Sequence, residues 1–277
     1  MRAGFAFLAA PIVTLLLVLL LWLVAPVLGF PALAFCYALL AVGQFGAIGI
    51  SAWLSWRGSK ALPTAPRVLW SRWYMLTALG AGSLLLIQLL APASQHFYKS
   101  FYMPSGAMSP TLLTNDRIIA SMRGPGVLRR GDIVIFRMPN AIYIKRVAAL
   151  PGDTIAMTDG IVILNGARVA QRFEREDAFR GWMGSQRARR LSESFPGEPG
   201  PHDIYDQGDT PQDNFPAVRI SPGHVFVLGD NRDDSADSRI ERLQGGVEQL
   251  PITDIIGKPL YYSFGPSHRM GERVTPN

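Results

Sequence analysis

The chain has 277 residues, 48% hydrophobic and only 17% charged, with 27 Lys and Arg against 21 Asp and Glu. The first acidic residue is Asp116, and the six basic residues before it (Arg2, Arg57, Lys60, Arg67, Arg72 and Lys99) carry the whole net charge of +6. The rest is neutral, so the excess of base does not describe a nucleic-acid-binding surface, and the apolar first hundred residues exclude a single soluble domain.

No Asp, Glu, Lys, Arg or His occurs from Ala3 to Trp56. As one helix, at about 1.5 Å per residue, this run would extend roughly 80 Å, far beyond the roughly 30 Å of bilayer hydrocarbon. It has to turn back, and Gly29-Phe30-Pro31 is where a helix is least tolerated. The expected spans are residues 5–28 and 33–56, with a third at 74–93, making 1–94 a membrane region of three transmembrane helices. Arg57, Lys60, Arg67 and Arg72 hold the loop 57–73 in the cytoplasm. The N-terminus is then cytoplasmic and residues 95–277 form an extracytoplasmic domain. A cleaved signal peptide would be shorter and would not run directly into a second span. Trp53, Trp56, Trp70 and Trp73 flank the loop as interface anchors. The lone cysteine, Cys36, lies within the second span, so the outer domain is held by its core alone.

After residue 100 the signals are those of strands. Arg117–Ala120, Asp132–Phe136, Ile142–Ala148, Thr154–Met157, Ile161–Leu164, His224–Leu228 and Leu260–Phe264 are short, rich in β-branched or aromatic residues, and mostly bounded by Gly, Pro, Asn or Asp. Asp159-Gly160 reads as a hairpin turn and Asn165-Gly166 as another tight turn. The outer domain is therefore expected to be mainly antiparallel β. Between 171 and 216 the pattern gives way to charges, Pro and Gly, which predicts an inserted, partly flexible excursion with a short helix near Glu174–Arg190. Its Arg187-Ala188-Arg189-Arg190 reads as a solvated stretch near acids rather than a phosphate or headgroup contact.

Four histidines (His96, His202, His224, His268) without ligand spacing make no case for a metal, and no phosphate-binding glycine motif is present. No cofactor is expected. Lys145 stands out inside the apolar run Ile142-Tyr143-Ile144-Lys145-Arg146-Val147. It is either an edge-strand lysine reaching solvent or a desolvated amine able to act as a general base.

At this point the sequence resembles a family. Met103-Pro104-Ser105-Gly106-Ala107-Met108-Ser109-Pro110-Thr111-Leu112 is similar to the nucleophile segment of bacterial type I signal peptidases, and Arg130-Gly131-Asp132-Ile133-Val134-Ile135-Phe136 to the box that follows it. Tyr143-Ile144-Lys145-Arg146-Val147, continuing to Leu150-Pro151-Gly152-Asp153, resembles the lysine box. Gly229-Asp230-Asn231-Arg232-Asp233-Asp234-Ser235-Ala236-Asp237-Ser238-Arg239 resembles the last one. The likeness covers about residues 95–265 and implies a Ser/Lys serine endopeptidase that removes signal peptides from exported preproteins at the outer face of the bacterial cytoplasmic membrane.

By position, the resemblance makes Lys145 the general base and Ser235 the hydroxyl that orients it. The Ser105 hydroxyl and the N–H of residue 107 become the oxyanion hole, and Asp230 with Arg146 and Asp237 with Arg239 become supporting ion pairs. Phe101, Met103, Pro104, Met108, Leu112, Ile135 and Ile144 are expected to line apolar pockets for small residues of an Ala-x-Ala site, with ordinary core as the competing reading. Phe97, Tyr98, Phe101 and Tyr102 follow the third span and are placed to dip into the lipid interface. The implied partners are signal peptides of preproteins, membrane lipid and the translocation machinery; no nucleic acid is expected.

One position departs from the family. The residue immediately before the motif methionine, where the nucleophilic serine belongs, is Ala107. Ser105 and Ser109 lie two residues away, about 6–7 Å along an extended chain, too far to substitute. Losing such a nucleophile costs on the order of a millionfold in turnover, so the chain as it stands is expected to be inactive. Either a serine was replaced here to capture substrate, or this is a natural pseudo-peptidase that binds signal peptides without cutting them. A specialised maturation peptidase shares the same dyad. A self-cleaving repressor would carry a DNA-binding segment where this chain has its apolar runs.

Overall fold

The computed structural model describes residues 97–139, 141–181 and 184–274. The three expected membrane spans and the loop between them lie outside those residues. Among the described residues no helix is long and apolar enough to cross a membrane.

Fourteen strands make up the described part: β1 (Tyr98–Tyr102), β2 (Arg117–Ser121), β3 (Ile133–Arg137), β4 (Ile142–Ala149), β5 (Thr154–Thr158), β6 (Ile161–Leu164), β7 (Ala167–Arg168), β8 (Ala170–Gly181), β9 (Gly184–Ser194), β10 (His202–Asp206), β11 (Phe215–Arg219), β12 (His224–Leu228), β13 (Leu250–Pro251) and β14 (Ile255–Phe264). All of their pairings are antiparallel, as expected from short β-branched runs bounded by turn residues. A seven-stranded sheet runs β1-β2-β14-β3-β4-β12-β13, a four-stranded sheet runs β11-β5-β6-β7, and a three-stranded sheet runs β10-β9-β8.

Asp159 and Gly160 both take positive φ (49° and 73°), as do Asn165 and Gly166 (52° and 83°). These left-handed pairs close β5–β6 and β6–β7 with two-residue turns whose twist matches the strands. Met157, Val162 and Leu164 of this small sheet pack with Ala148, Ala149, Phe226 and Leu228 in one buried cluster. A second cluster gathers Val134, Phe136, Val147, Val225 and Val227. A third holds Phe101, Met108, Leu112, Ile118, Ile135 and Ile144.

The structure corrects the sequence reading in the excursion. In place of a short helix near Glu174–Arg190, β8 and β9 pair from Ala170↔Ser194 to Gly181↔Gly184. Dense charge reads as loop in a sequence, yet much of this ribbon faces water, where charged side chains pair across and along strands at little cost. Asp177 takes Arg175 at 2.6 Å and Arg190 at 3.5 Å, while Arg189 reaches Asp206 at 2.5 Å. Arg190 also pairs with Asp203, so Arg189 and Arg190 of the basic stretch are paired with acids of β10 and β8. β1 covers most of the aromatic stretch expected at the lipid interface. Phe97, just before the strand, and Tyr102 are exposed, while Phe101 turns inward against Ile118 and joins the core cluster with a little of its surface left open.

The excursion docks on the main sheet through charge. Glu193 of β9 lies buried between Arg232, whose Nη1 is 3.1 Å away, and His202, whose Nε2 lies 3.3 Å from Glu193 as a charge contact. His202 Nδ1 is 2.9 Å from Glu198, and Glu198 lies 3.7 Å from Arg146 of β4. Burial and the Arg146 charge oppose protonation of His202, but Glu193, Glu198 and Asp230 outweigh them and raise its pKa above the usual 6.5. With a folded pKa above the unfolded one, the imidazolium's contribution is complete below about pH 6.5 and disappears as pH rises through the raised value. Urea unfolding of the chain and of its His202→Gln form should show a stability gap at about pH 6 that narrows as the pH is raised; a gap that does not change with pH would contradict this.

Candidate active site

β4 lies between β3 and β12, with Val134↔Lys145 paired on one side and Leu228↔Arg146 closing the ladder on the other. Lys145 is therefore an interior-strand residue, 3% exposed, and the edge-strand reading does not hold. Because successive side chains leave opposite faces of a strand, Lys145 and Arg146 point to different sides of the sheet. Each meets part of the segment that follows β12.

On the Lys145 side, Nζ donates a 2.8 Å hydrogen bond to the Ser235 hydroxyl, with both groups buried. Burial destabilises the ammonium and pushes the Lys145 pKa down to about 8; Asp237 opposes the shift and Arg239 reinforces it. Asp237 does not neutralise the lysine because it is already committed. Its carboxylate accepts the Gly229 N–H at 3.0 Å and two guanidinium hydrogen bonds from Arg239, each 2.9 Å. Burial pushes Asp237 up, and Arg239 outweighs that, holding it below the usual carboxylate range.

On the other side, Arg146 makes a fork to Asp230 at 2.8 and 2.7 Å and donates to the Gly131 carbonyl at 2.8 Å. The Thr111 hydroxyl donates to the same Asp230 carboxylate at 2.5 Å. Burial would raise the Asp230 pKa, but Arg146 holds it below normal. Both expected ion pairs are thus present as buried bidentate contacts, the geometry in which such pairs are worth most.

Gly229 joins these groups to residue 107. A Cβ at this position would overlap the Ser235 Oγ and sit 2.6 Å from the Ala107 carbonyl oxygen. The Ala107 carbonyl also accepts the Asn231 N–H at 3.2 Å. Ser235 therefore lies between the Lys145 amine and the backbone of Ala107, with Ser105 exposed two residues upstream. Of the expected pocket residues, Phe101, Met103, Met108, Leu112, Ile135 and Ile144 share one cluster, while Pro104 is exposed. Met108, Leu112 and Ile135 are fully enclosed; Phe101, Met103 and Ile144 keep some surface. No group of metal-ligating side chains occurs among the described residues.

Sequence reasoning did not single out Thr111, Gly229 and Asn231 individually, although they sit within the quoted motifs. It missed Glu193, Glu198, His202 and Arg232 as a connected set.

With this geometry in view, the known proteins agree. The family described as "Signal peptidase, peptidase S26" matches residues 75–262. The chain belongs to this signal peptidase family. A probable signal peptidase I-1 of Synechocystis sp. is 33% identical over 186 residues, covering 62% of this chain and 73% of that protein. A signal peptidase I of Rickettsia bellii is 30% identical over 200 residues, 60% of this chain and 65% of that one. That of Pseudomonas aeruginosa is 34% identical over 165 residues, 50% and 54%. A solved signal peptidase I of Enterococcus faecalis is 20% identical, covering 50% of this chain and 98% of that one, with a TM-score of 0.29, too loose to bear on the fold. The family is one of serine endopeptidases.

Gly229→Ala forces a methyl group between a hydroxyl and a backbone carbonyl, neither of which is the free end of a long side chain. It should cost about 1–3 kcal/mol in chemical denaturation; a neutral result would mean that the segments around 107 and 235 are not held in contact through this glycine.

Proposed function

We propose that this chain is a membrane-anchored signal peptidase I whose Ser/Lys centre is complete except for its nucleophile. The observation that carries the reading is the buried 2.8 Å contact between Lys145 and Ser235, placed against the backbone of residue 107. A neutral amine that is dry and aimed by a hydroxyl is what a general base requires. The ion pairs hold the strand and the loop that position it.

With serine at 107, the neutral Lys145 amine takes the hydroxyl proton as the oxygen attacks the scissile carbonyl. The oxyanion collects on the residue-107 N–H and the Ser105 hydroxyl. Collapse breaks the C–N bond, and the Lys145 ammonium gives its proton to the departing amine. A water deprotonated by Lys145 then hydrolyses the acyl-enzyme and restores the serine. The substrate is the extended end of a signal peptide with small residues in an Ala-x-Ala arrangement, bound near Phe101, Met103, Pro104 and Ile144. Three spans at 5–28, 33–56 and 74–93 tether this site to the outer face of the cytoplasmic membrane, where signal peptides emerge.

With Ala107 there is no attacking oxygen, but the residue-107 N–H and the apolar surface remain. The chain then binds signal peptides without cutting them, since these groups do not depend on the missing hydroxyl. That non-cleaving behaviour is also what a natural signal-peptide-binding pseudo-peptidase would show, and Ala107 is the observation that favours it.

Ala107→Ser should raise cleavage of a preprotein with an Ala-x-Ala site on the order of a millionfold in liposomes. Lys145→Met in that serine form should abolish the gain. The base must be neutral, so kcat/KM should rise with pH to a plateau with a midpoint near the lysine value of about 8. A serine form that cleaves nothing would leave the signal-peptide-binding protein; cleavage that survives Lys145→Met would remove the lysine from the mechanism.

A further inference from the structure

An oxyanion hole built on a backbone N–H depends on the orientation of one peptide plane, here the plane joining Gly106 to Ala107. A trans peptide sends its C=O and its N–H in opposite directions, so whatever grips the Gly106 carbonyl aims the Ala107 N–H. Two donors grip it: the Ser109 N–H at 2.9 Å and the Asn231 side-chain Nδ2 at 3.2 Å. The second donor comes from the far side of the chain, 125 residues away, and is buried. Asn231 is 0% exposed.

The Asn231 amide is itself oriented. Gln207 Nε2 donates to Asn231 Oδ1 at 2.9 Å, so Nδ2 is the end left to face the Gly106 carbonyl. The reversed amide would set an oxygen against an oxygen there. The Asn231 backbone is pinned as well. Its N–H donates to the Ala107 carbonyl, and Tyr205 of β10 brackets it by donating to the Asp230 carbonyl at 2.8 Å and accepting the Arg232 N–H at 2.9 Å. Asn231 thus holds the carbonyls on both sides of the Ala107 N–H. Among the described residues nothing accepts from that N–H, while Ala107 is half-buried and Ser105 exposed beside it. The N–H is thus left without an acceptor among the described residues, beside exposed Ser105, and is available to a substrate carbonyl.

We propose that Asn231 is the positioning residue of the oxyanion hole: its side-chain amide, held by Gln207 from the excursion, sets the 106–107 peptide plane and so aims the residue-107 N–H at the developing oxyanion. This rests on the peptidase reading above. It also gives the excursion a catalytic consequence, because the residue that orients Asn231 follows directly after β10. Asn231 makes no contact with Lys145 or Ser235 through these bonds, so it acts on the charge that develops in the transition state and not on the base.

The test uses the full chain in liposomes. In the Ala107→Ser background, Asn231→Ala should lower kcat by about 30-fold or more, approaching the roughly 10²–10³ lost when an oxyanion donor is removed, with KM within about threefold. The midpoint of the pH–rate profile should stay where it was. Gln207→Met, which leaves Asn231 in place but free to rotate, should lower kcat in the same sense by a smaller factor, and it serves if Asn231→Ala fails to fold. A loss confined to KM, a moved pH midpoint, or an unchanged kcat in both variants would overturn the proposal. A second readout needs no activity: crystal structures of the Ala107 chain with and without Asn231→Ala or Gln207→Met should show the 106–107 peptide rotated in the variants. An unrotated plane in both overturns the role of Asn231. A serine form without activity counts against the peptidase reading, and the peptide plane then decides for Asn231 by itself.

Discussion

Burying the Lys145 amine costs it the hydration that stabilises an ammonium, and the arrangement around it depends on that cost not being repaid. An aspartate free to face the lysine would restore the charge and remove the base. Asp237 is near enough to oppose the shift, yet Arg239 takes it in a bidentate pair and the Gly229 N–H takes a further lone pair. Asp230 is occupied in the same way by Arg146 and Thr111. Asp237 and Asp230 are thus each satisfied by an arginine, Asp234 acts on the lysine through charge alone, and the hydrogen bond Lys145 makes is to the neutral hydroxyl of Ser235. The ion pairs do two jobs: they brace the loop, and they weaken the pull of Asp237 and Asp230 on the amine, so that burial still wins.

The same pairs extend outward. Arg146 is shared between Asp230 and Glu198, and Glu198 between Arg146 and His202, which continues to Glu193 and Arg232. Breaking a buried pair on one side strands a charge, which costs far more than the pair itself contributes. The excursion of β8, β9 and β10 is therefore built into the frame of the site rather than attached to it. Tyr205 and Gln207 reach the loop after β12 from the same side.

What the sequence shows and what it hides follow from distance along the chain. β6 and β12 match their expected bounds, and β2, β3, β4 and β5 differ by a residue at one or both ends, because short β-branched and aromatic runs, alternating in β2, β5 and β6 and continuously buried in β3, β4 and β12, are bounded by turn residues in the sequence itself. The β8–β9 ribbon was hidden because so much of it meets water, so its charges carry no alternation. β1 was hidden because aromatics at the end of an apolar run have a simpler reading. In the site, Ser105, Ala107, Lys145 and Ser235 stood out through short motifs, and the structure places 107, 145 and 235 together. The Glu193–His202–Glu198 cluster could not be read, since a buried histidine between two carboxylates looks in sequence like a surface histidine in a charged loop.

The account turns on the protonation of one amine. Selective labelling of lysine and titration of the Lys145 side-chain signal by NMR in the chain as it stands would measure it directly, assigned by its loss in Lys145→Met. A midpoint near 8 is expected from burial beside Ser235 with both aspartates committed to arginines. A midpoint at the ordinary lysine value of 10.5 would mean the amine is solvated or paired, and the base at the centre of this account would not exist.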